Sequence, residues 1–332
     1  MKLISYAAPT DASETRIASL LDGGRAIDLA AAYRTLLLRR GVDPKAARRI
    51  AGVLLSGDMV EFIEGGSASM QAAQEAQKWV EDQLRGDPSA TVEGLLTTAN
   101  LQVLSPVPHP PFLRDFLAFE THLTNLFPRL GREIPPFWYE MPVYYKGNTA
   151  SIAGPDDNVP LPPYEDEVDM EFEIGIVIGR GGRNISKEQA FDHIFGFTIY
   201  NDFSARIIQG KEMSVGLGPA KSKDFAKAHV FGPCLVTKDE IPDFYNLRMV
   251  SRVNGEVWCD SNTSTMHWKV EDLIAQASLG EDLRPGELIG SGTVGWGSGM
   301  ERDRALKPGD VVELEVQGLG LLRNTVVANQ DA

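Results

Sequence analysis

Residues 168–179 read VDMEFEIGIVIG. The alternation has a period of two, which is the periodicity of a strand. Val168, Met170, Phe172, Ile174, Ile176 and Ile178 make one wholly apolar face. The other face begins Asp169, Glu171, Glu173 and continues with Gly175 and Val177. A sheet with one solvated face accommodates such acids without giving them any work. A buried face accommodates them only when the carboxylates are paired or hold a cation. Gly175 leaves room beside the acids, and the continuation is apolar, so the second reading has support. Carboxylate oxygens suit Mg2+, Mn2+ or Ca2+ rather than zinc.

A cation of that kind needs further oxygens. In IYNDFSAR, Asp202 ends an apolar strand run. In RDFLAFETH, Asp115 reads as lying just inside the start of a helix. Each also has a plain structural reading, Asp202 as a helix cap and Asp115 as a first-turn dipole partner. On a helix, the seven residues from Asp115 to His122 span about two turns, which places both on one face. His122 then overlooks the cation, although a lone histidine is often only structural.

The rest of the chain sets the class. It has 332 residues, 43% of them hydrophobic, and a formal net charge of −14. That charge provides no basic footprint, so neither nucleic acid nor an anionic membrane is expected as a partner. An anionic small molecule stays compatible, because a bound cation reverses the local field. Cys234 and Cys259 are too few for a disulfide framework or a thiolate metal site, and a reducing cytoplasm is expected. No signal peptide is read at the N-terminus, and no apolar run approaches the ~18 residues of a membrane helix.

Residues 1–105 read as a small α/β domain. KLISYA and TRIASLL are strand-like, DGGRAIDL supplies a turn and a returning strand, and helical patterns cover 30–40 and 67–85. SPVPHPP at 105–111 interrupts helix and central strand alike, which marks a boundary. Residues 106–332 then alternate short β-type runs with Gly/Pro turns, and VNGEV carries an Asn-Gly hairpin signal. The expectation is an α+β, β-rich chain whose second domain is a barrel, roll or sandwich. Residues 146–166 lack periodicity and are expected to be a long loop that helps set specificity.

DFLAFETHLTN, PVYYKG, DMEFEIGIVIG, YNDFSARIIQ, GPAKSKDFA followed by GPCLVT, GSGTVG and LKPGDVVELEVQGLG occur in this order. Together they resemble the fumarylacetoacetate hydrolase family over residues 112–327. The resemblance implies the mixed β-roll or barrel domain of that family and a homodimer. It implies that Asp115, Glu171, Glu173 and Asp202 bind a divalent cation, and that His122 is the base that activates water. It makes Arg206, Gln209 and Lys223 stabilisers of the substrate oxyanion, and Tyr145 and Thr293 grips for a carboxylate. Glu301 falls near the acid that orients the family's histidine. In KSKDF the spacing to Gly232-Pro233 favours Lys223 over Lys221. Asn125 stands where shorter relatives carry a glutamate, and Met213 where the namesake uses a tyrosine. The implied activity is hydrolysis of a C–C bond in a β-diketone or acylpyruvate-like acid. Decarboxylation, isomerisation or dehydration of a 2-oxo acid at the same metal-enolate site is the alternative.

Overall fold

The computed structural model describes residues 1–9 and 11–329. Its main element is an eleven-stranded sheet. Ten strands follow one another in the spatial order Leu95–Thr97, Arg25–Asp28, Asp11–Leu21, Lys2–Ala8, His229–Thr237, Ile194–Asp202, Phe172–Ile178, Leu288–Gly290, Leu113–Phe116 and Tyr144–Lys146. Ile152–Ala153 adds a short parallel pairing beside His229–Thr237. The sheet has two ends, so it does not close into the barrel that was one expectation. It also crosses residue 105 without a break, because Lys2 and Leu3 pair with Val236 and Leu235.

The two faces of this sheet pack against different partners. Phe172, Ile174, Ile176 and Ile178 share a core with Met249, Leu314 and Val326 of the smaller five-stranded sheet. Val177, on the opposite face, joins Leu36, Phe62, Ala73 and Val80 from the N-terminal helices. Those helices are Leu29–Arg39, Pro44–Leu54, Met59–Glu64 and Gly66–Gly86. Two of them match the patterns at 30–40 and 67–85, and the other two lie outside those patterns, although Asp43-Pro44 supplies an N-cap and first-turn proline for Pro44–Leu54. In the smaller sheet, Asn254 and Gly255 both take positive φ between strands Arg248–Val253 and Glu256–Asn262, the hairpin that Asn-Gly encodes.

With a layer on each face, strand Phe172–Ile178 is buried along its whole length. The solvated-face reading of its acids is therefore excluded. The run at 168–179 is also two strands, since Val168–Asp169 pairs separately with Ser204–Ala205. Asp115 needs a larger correction. It lies on strand Leu113–Phe116, parallel to Leu288–Gly290, and His122 lies on the separate helix Glu120–Leu126. The two residues share no helical face. Asp202 ends its strand, and the residue capping the next helix is Ala205.

Candidate active site

Three neighbouring regions of the sheet deliver carboxylates to one place. Asp115 comes from Leu113–Phe116, Glu173 from Phe172–Ile178 and Asp202 from the end of Ile194–Asp202. One oxygen from each lies within 4.8 Å of the others, and all three residues are buried. Between the first two strands runs Leu288–Gly290, and a Cβ at Gly290 would stand 2.2 Å from Asp115 Oδ1. Only glycine lets the carboxylate enter here. Glu173 accepts from the Gly292 amide at 2.8 Å and the Thr293 hydroxyl at 3.3 Å.

This cluster fits a hard divalent cation. Asp115 Oδ1 and Asp202 Oδ1 are buried and lack a hydrogen-bond partner among the described residues. Burial, reinforced by Asp202, pushes the Asp115 carboxyl well above the usual carboxylate range. Burial and the neighbouring Asp115 do the same to Glu173. Carboxylates that repel one another in a dry site are stabilised by an ion that accepts several hard oxygens at once.

Glu171 sits differently. Arg206 Nη1 lies 2.7 Å from Glu171 Oε1, and Lys223 Nζ donates to both Glu171 and Asp202. Burial opposes ionisation of Glu171, but Arg206 and Lys223 more than offset it and bring its pKa down to about 2. Asp202 is likewise held low, since Lys223 and His229 outweigh burial. Burial also opposes the Lys223 charge, yet Asp202 and Glu171 keep it firmly protonated.

A cavity of about 460 Å³ opens onto this cluster. Asp115, Glu171, Glu173, His122, Arg206, Gln209, Lys223, Tyr145 and Thr293 all line it. Its outer wall is apolar, from Leu123, Leu126, Phe127, Leu130 and Met213. Residues 146–166 contribute nothing to the lining, so the expected specificity loop lies outside it. Their Glu165 instead accepts from the amides of Ile207 and Ile208 and anchors helix Arg206–Val215. Lys223 is buried and lines the cavity, whereas Lys221 is exposed.

His122 is buried with Nδ1 3.0 Å from Glu301 Oε2, close in distance but off the line of a good hydrogen bond. Glu301 is fixed by the Trp296 amide at 2.8 Å, the Ser298 amide and hydroxyl at 3.1 Å and the Asn125 side chain at 2.8 Å. Burial raises its pKa, but His122 and these donors bring the net shift below the ordinary value. The Tyr145 hydroxyl donates to Asp202 at 2.8 Å, so Tyr145 and Thr293 both touch cluster carboxylates. Arg206 Nη1 donates to Gln209 Oε1 at 3.0 Å.

Sequence reasoning missed His229. Its Nδ1 lies 3.2 Å from Asp202 Oδ1 and 2.8 Å from the Tyr200 hydroxyl, and its Nε2 lies 3.3 Å from Asp224. The only available signal was its position in strand register with Asp202, which requires the pairing to be known. Gly290 was missed for the same reason.

The family model for the C-terminal part of fumarylacetoacetate (FAA) hydrolase matches residues 112–327. The chain belongs to the fumarylacetoacetate hydrolase family. A curated relative, "Oxaloacetate tautomerase fahd2, mitochondrial" of Xenopus laevis, is 33% identical over 98% of this chain and 90% of its own length. Among solved structures, a fumarylacetoacetate hydrolase of Exiguobacterium antarcticum matches with TM-score 0.70 and 23% identity over 99% of this chain and 100% of that one. Maleylpyruvate hydrolase of Sphingobium sp. SYK-6, solved with manganese(II) and pyruvate, matches with TM-score 0.68 and 21% identity over the same shares. These two establish likeness of fold. The family match and the oxygen cluster make this a metal-dependent enzyme of the family. Among the described residues, no helix is long and apolar enough to cross a membrane.

Proposed function

We propose that the enzyme interconverts the keto and enol forms of a small 2-oxo dicarboxylic acid of the oxaloacetate type. The observation that carries this is the likeness, over nearly the whole of both chains, to the relative named oxaloacetate tautomerase. Asp115, Glu173 and Asp202, with Glu171 beside them, are suited to hold Mg2+ or Mn2+. When bound, such an ion polarises the oxygens of a chelated 2-oxo acid and acidifies the adjacent C–H. His122 is the only histidine among the described cavity residues. With Nδ1 turned to Glu301, its Nε2 is the nitrogen left to take that proton and to return it to the enol oxygen. Lys223 and Arg206 bring positive charge to the site where the enolate develops. Tyr145 and Thr293 steady Asp202 and Glu173 and bound the substrate.

Proton exchange at C3 of oxaloacetate, followed by NMR in D2O with Mn2+ present, tests this. The wild type should accelerate deuteration and His122→Asn should not. No acceleration by the wild type, or the same acceleration by the variant, contradicts the proposal.

The second reading is C–C hydrolysis of an acylpyruvate or β-diketone, with His122 taking its proton from water. The Asn125–Glu301–His122 arrangement favours it, because it occurs without the nearby glutamate of shorter relatives. Label from ¹⁸O-water in a carboxylate product supports hydrolysis, and its absence from every substrate that is consumed excludes it. A homodimer and a reducing compartment such as the cytoplasm complete the proposal. Both cysteines are buried free thiols, which fits such a compartment. Sedimentation at micromolar concentration checks the dimer.

A further inference from the structure

We propose that Asp169 is a positioning residue that couples the oxyanion-side arginine to the turn that orients the base, a role that rests on the functions proposed for Arg206 and His122. Of the three acids in the 168–179 run, Glu173 belongs to the carboxylate cluster and Glu171 lines the cavity beside it, whereas Asp169 does neither. It is 1% exposed. A buried carboxylate without partners is costly, and this one has four donors. Its Oδ2 accepts from Arg206 Nε at 3.0 Å, from Arg206 Nη2 at 2.7 Å and from the Met300 amide at 2.9 Å. Its Oδ1 accepts from the Gly299 amide at 2.7 Å.

The contact with Arg206 fixes the plane of the guanidinium. With the Nε–Nη2 edge docked on Asp169, the remaining nitrogen, Nη1, faces Glu171 at 2.7 Å and Gln209 at 3.0 Å, which line the cavity. The contact with Gly299 and Met300 fixes the start of the short turn Met300–Arg302. Glu301 reaches His122 from that turn. One carboxylate thus sets the rotation of Arg206 and the approach of Glu301 to the imidazole. Gly299 is needed for this approach and for the packing of the turn, because a Cβ there would lie 2.6 Å from both Asp169 Oδ1 and the Arg304 carbonyl and 2.9 Å from the Trp258 ring.

Side-chain NMR of the metal-loaded, substrate-free protein separates this role from the catalytic reading. Assign the Arg206 Nε–H signal with Arg206→Lys and the His122 ring signals with His122→Asn. Asp169→Asn should abolish the slow exchange of the Arg206 Nε proton and shift the His122 ring signals. Gly299→Ala contacts neither Arg206 nor His122 but crowds Asp169 Oδ1 and the Arg304 carbonyl, so by displacing Asp169 and the turn together it should perturb the Arg206 signal, and it serves where Asp169→Asn fails to fold. Unchanged His122 signals in Asp169→Asn, or an unchanged Arg206 signal in Gly299→Ala, overturn the coupling, whatever the reaction proves to be. If the proposed chemistry also holds, Asp169→Asn lowers kcat about 10–100-fold. In that case its effect should be non-additive with both Arg206→Lys and Glu301→Gln, and additivity with both counts against the coupling.

Discussion

Two pairs of acids meet at the centre of this enzyme, and their surroundings differ. Glu171 and Asp202 rest on Lys223, with Arg206 beside Glu171, and both are held below the ordinary carboxylate range despite complete burial. Asp115 and Glu173 have no such cation and are pushed far above it. The chain thus places a cation against Glu171 and Asp202, and among the described residues none forms an ion pair with Asp115 or Glu173. Asp202 belongs to both sides of the contrast, since Lys223 meets its Oδ2 while its Oδ1 has no hydrogen-bond partner among the described residues.

This contrast predicts stability changes of opposite sign. Asp202→Asn leaves Lys223 buried with one carboxylate fewer, and in chelator it should cost roughly 3–5 kcal/mol by urea unfolding. A loss below ~1 kcal/mol would mean that Lys223 does not depend on that pairing. Lys223→Ala, assayed with Mn2+, should lower kcat by about 10²–10³. Wild-type turnover would remove Lys223 from the oxyanion role. Asp115→Asn removes a carboxyl whose ionised form burial and Asp202 disfavour, so in chelator it should stabilise the fold by about 1–3 kcal/mol while abolishing activity. Destabilisation there would break the contrast.

The smallest expected effect concerns Glu301. Its folded pKa lies below the ordinary value, so it contributes stability above the unfolded pKa that is lost as pH falls through the folded one. The wild type should therefore exceed Glu301→Gln in stability at about pH 7, and the gap should close towards about pH 3. A gap independent of pH would mean that the carboxylate charge contributes nothing.

The residues of this site were legible in the sequence to the extent that they lie in local patterns. The period-two run disclosed strand Phe172–Ile178, and the motif order named the acids, His122 and Lys223. Asp115 was placed on the wrong element because LRDFLAFETHL is equally compatible with a helix. Only the parallel pairing with Leu288–Gly290, more than 170 residues away, makes its first part a strand. The solvated face was a fair reading of three acids, and it is excluded by their burial against Arg206, Lys223 and residues 292–300, which lie far along the chain. His229, Gly290 and the contacts of Asp169 depend on register between distant strands and turns, which no local pattern records.

The claim that Asp115 and Glu173 await a cation is tested most directly by calorimetric titration of metal-stripped protein with Mn2+. We predict one saturable site per chain in the wild type and none in Asp115→Asn. Absence of saturable binding to the wild type, or binding by Asp115→Asn equal to it, would contradict the account.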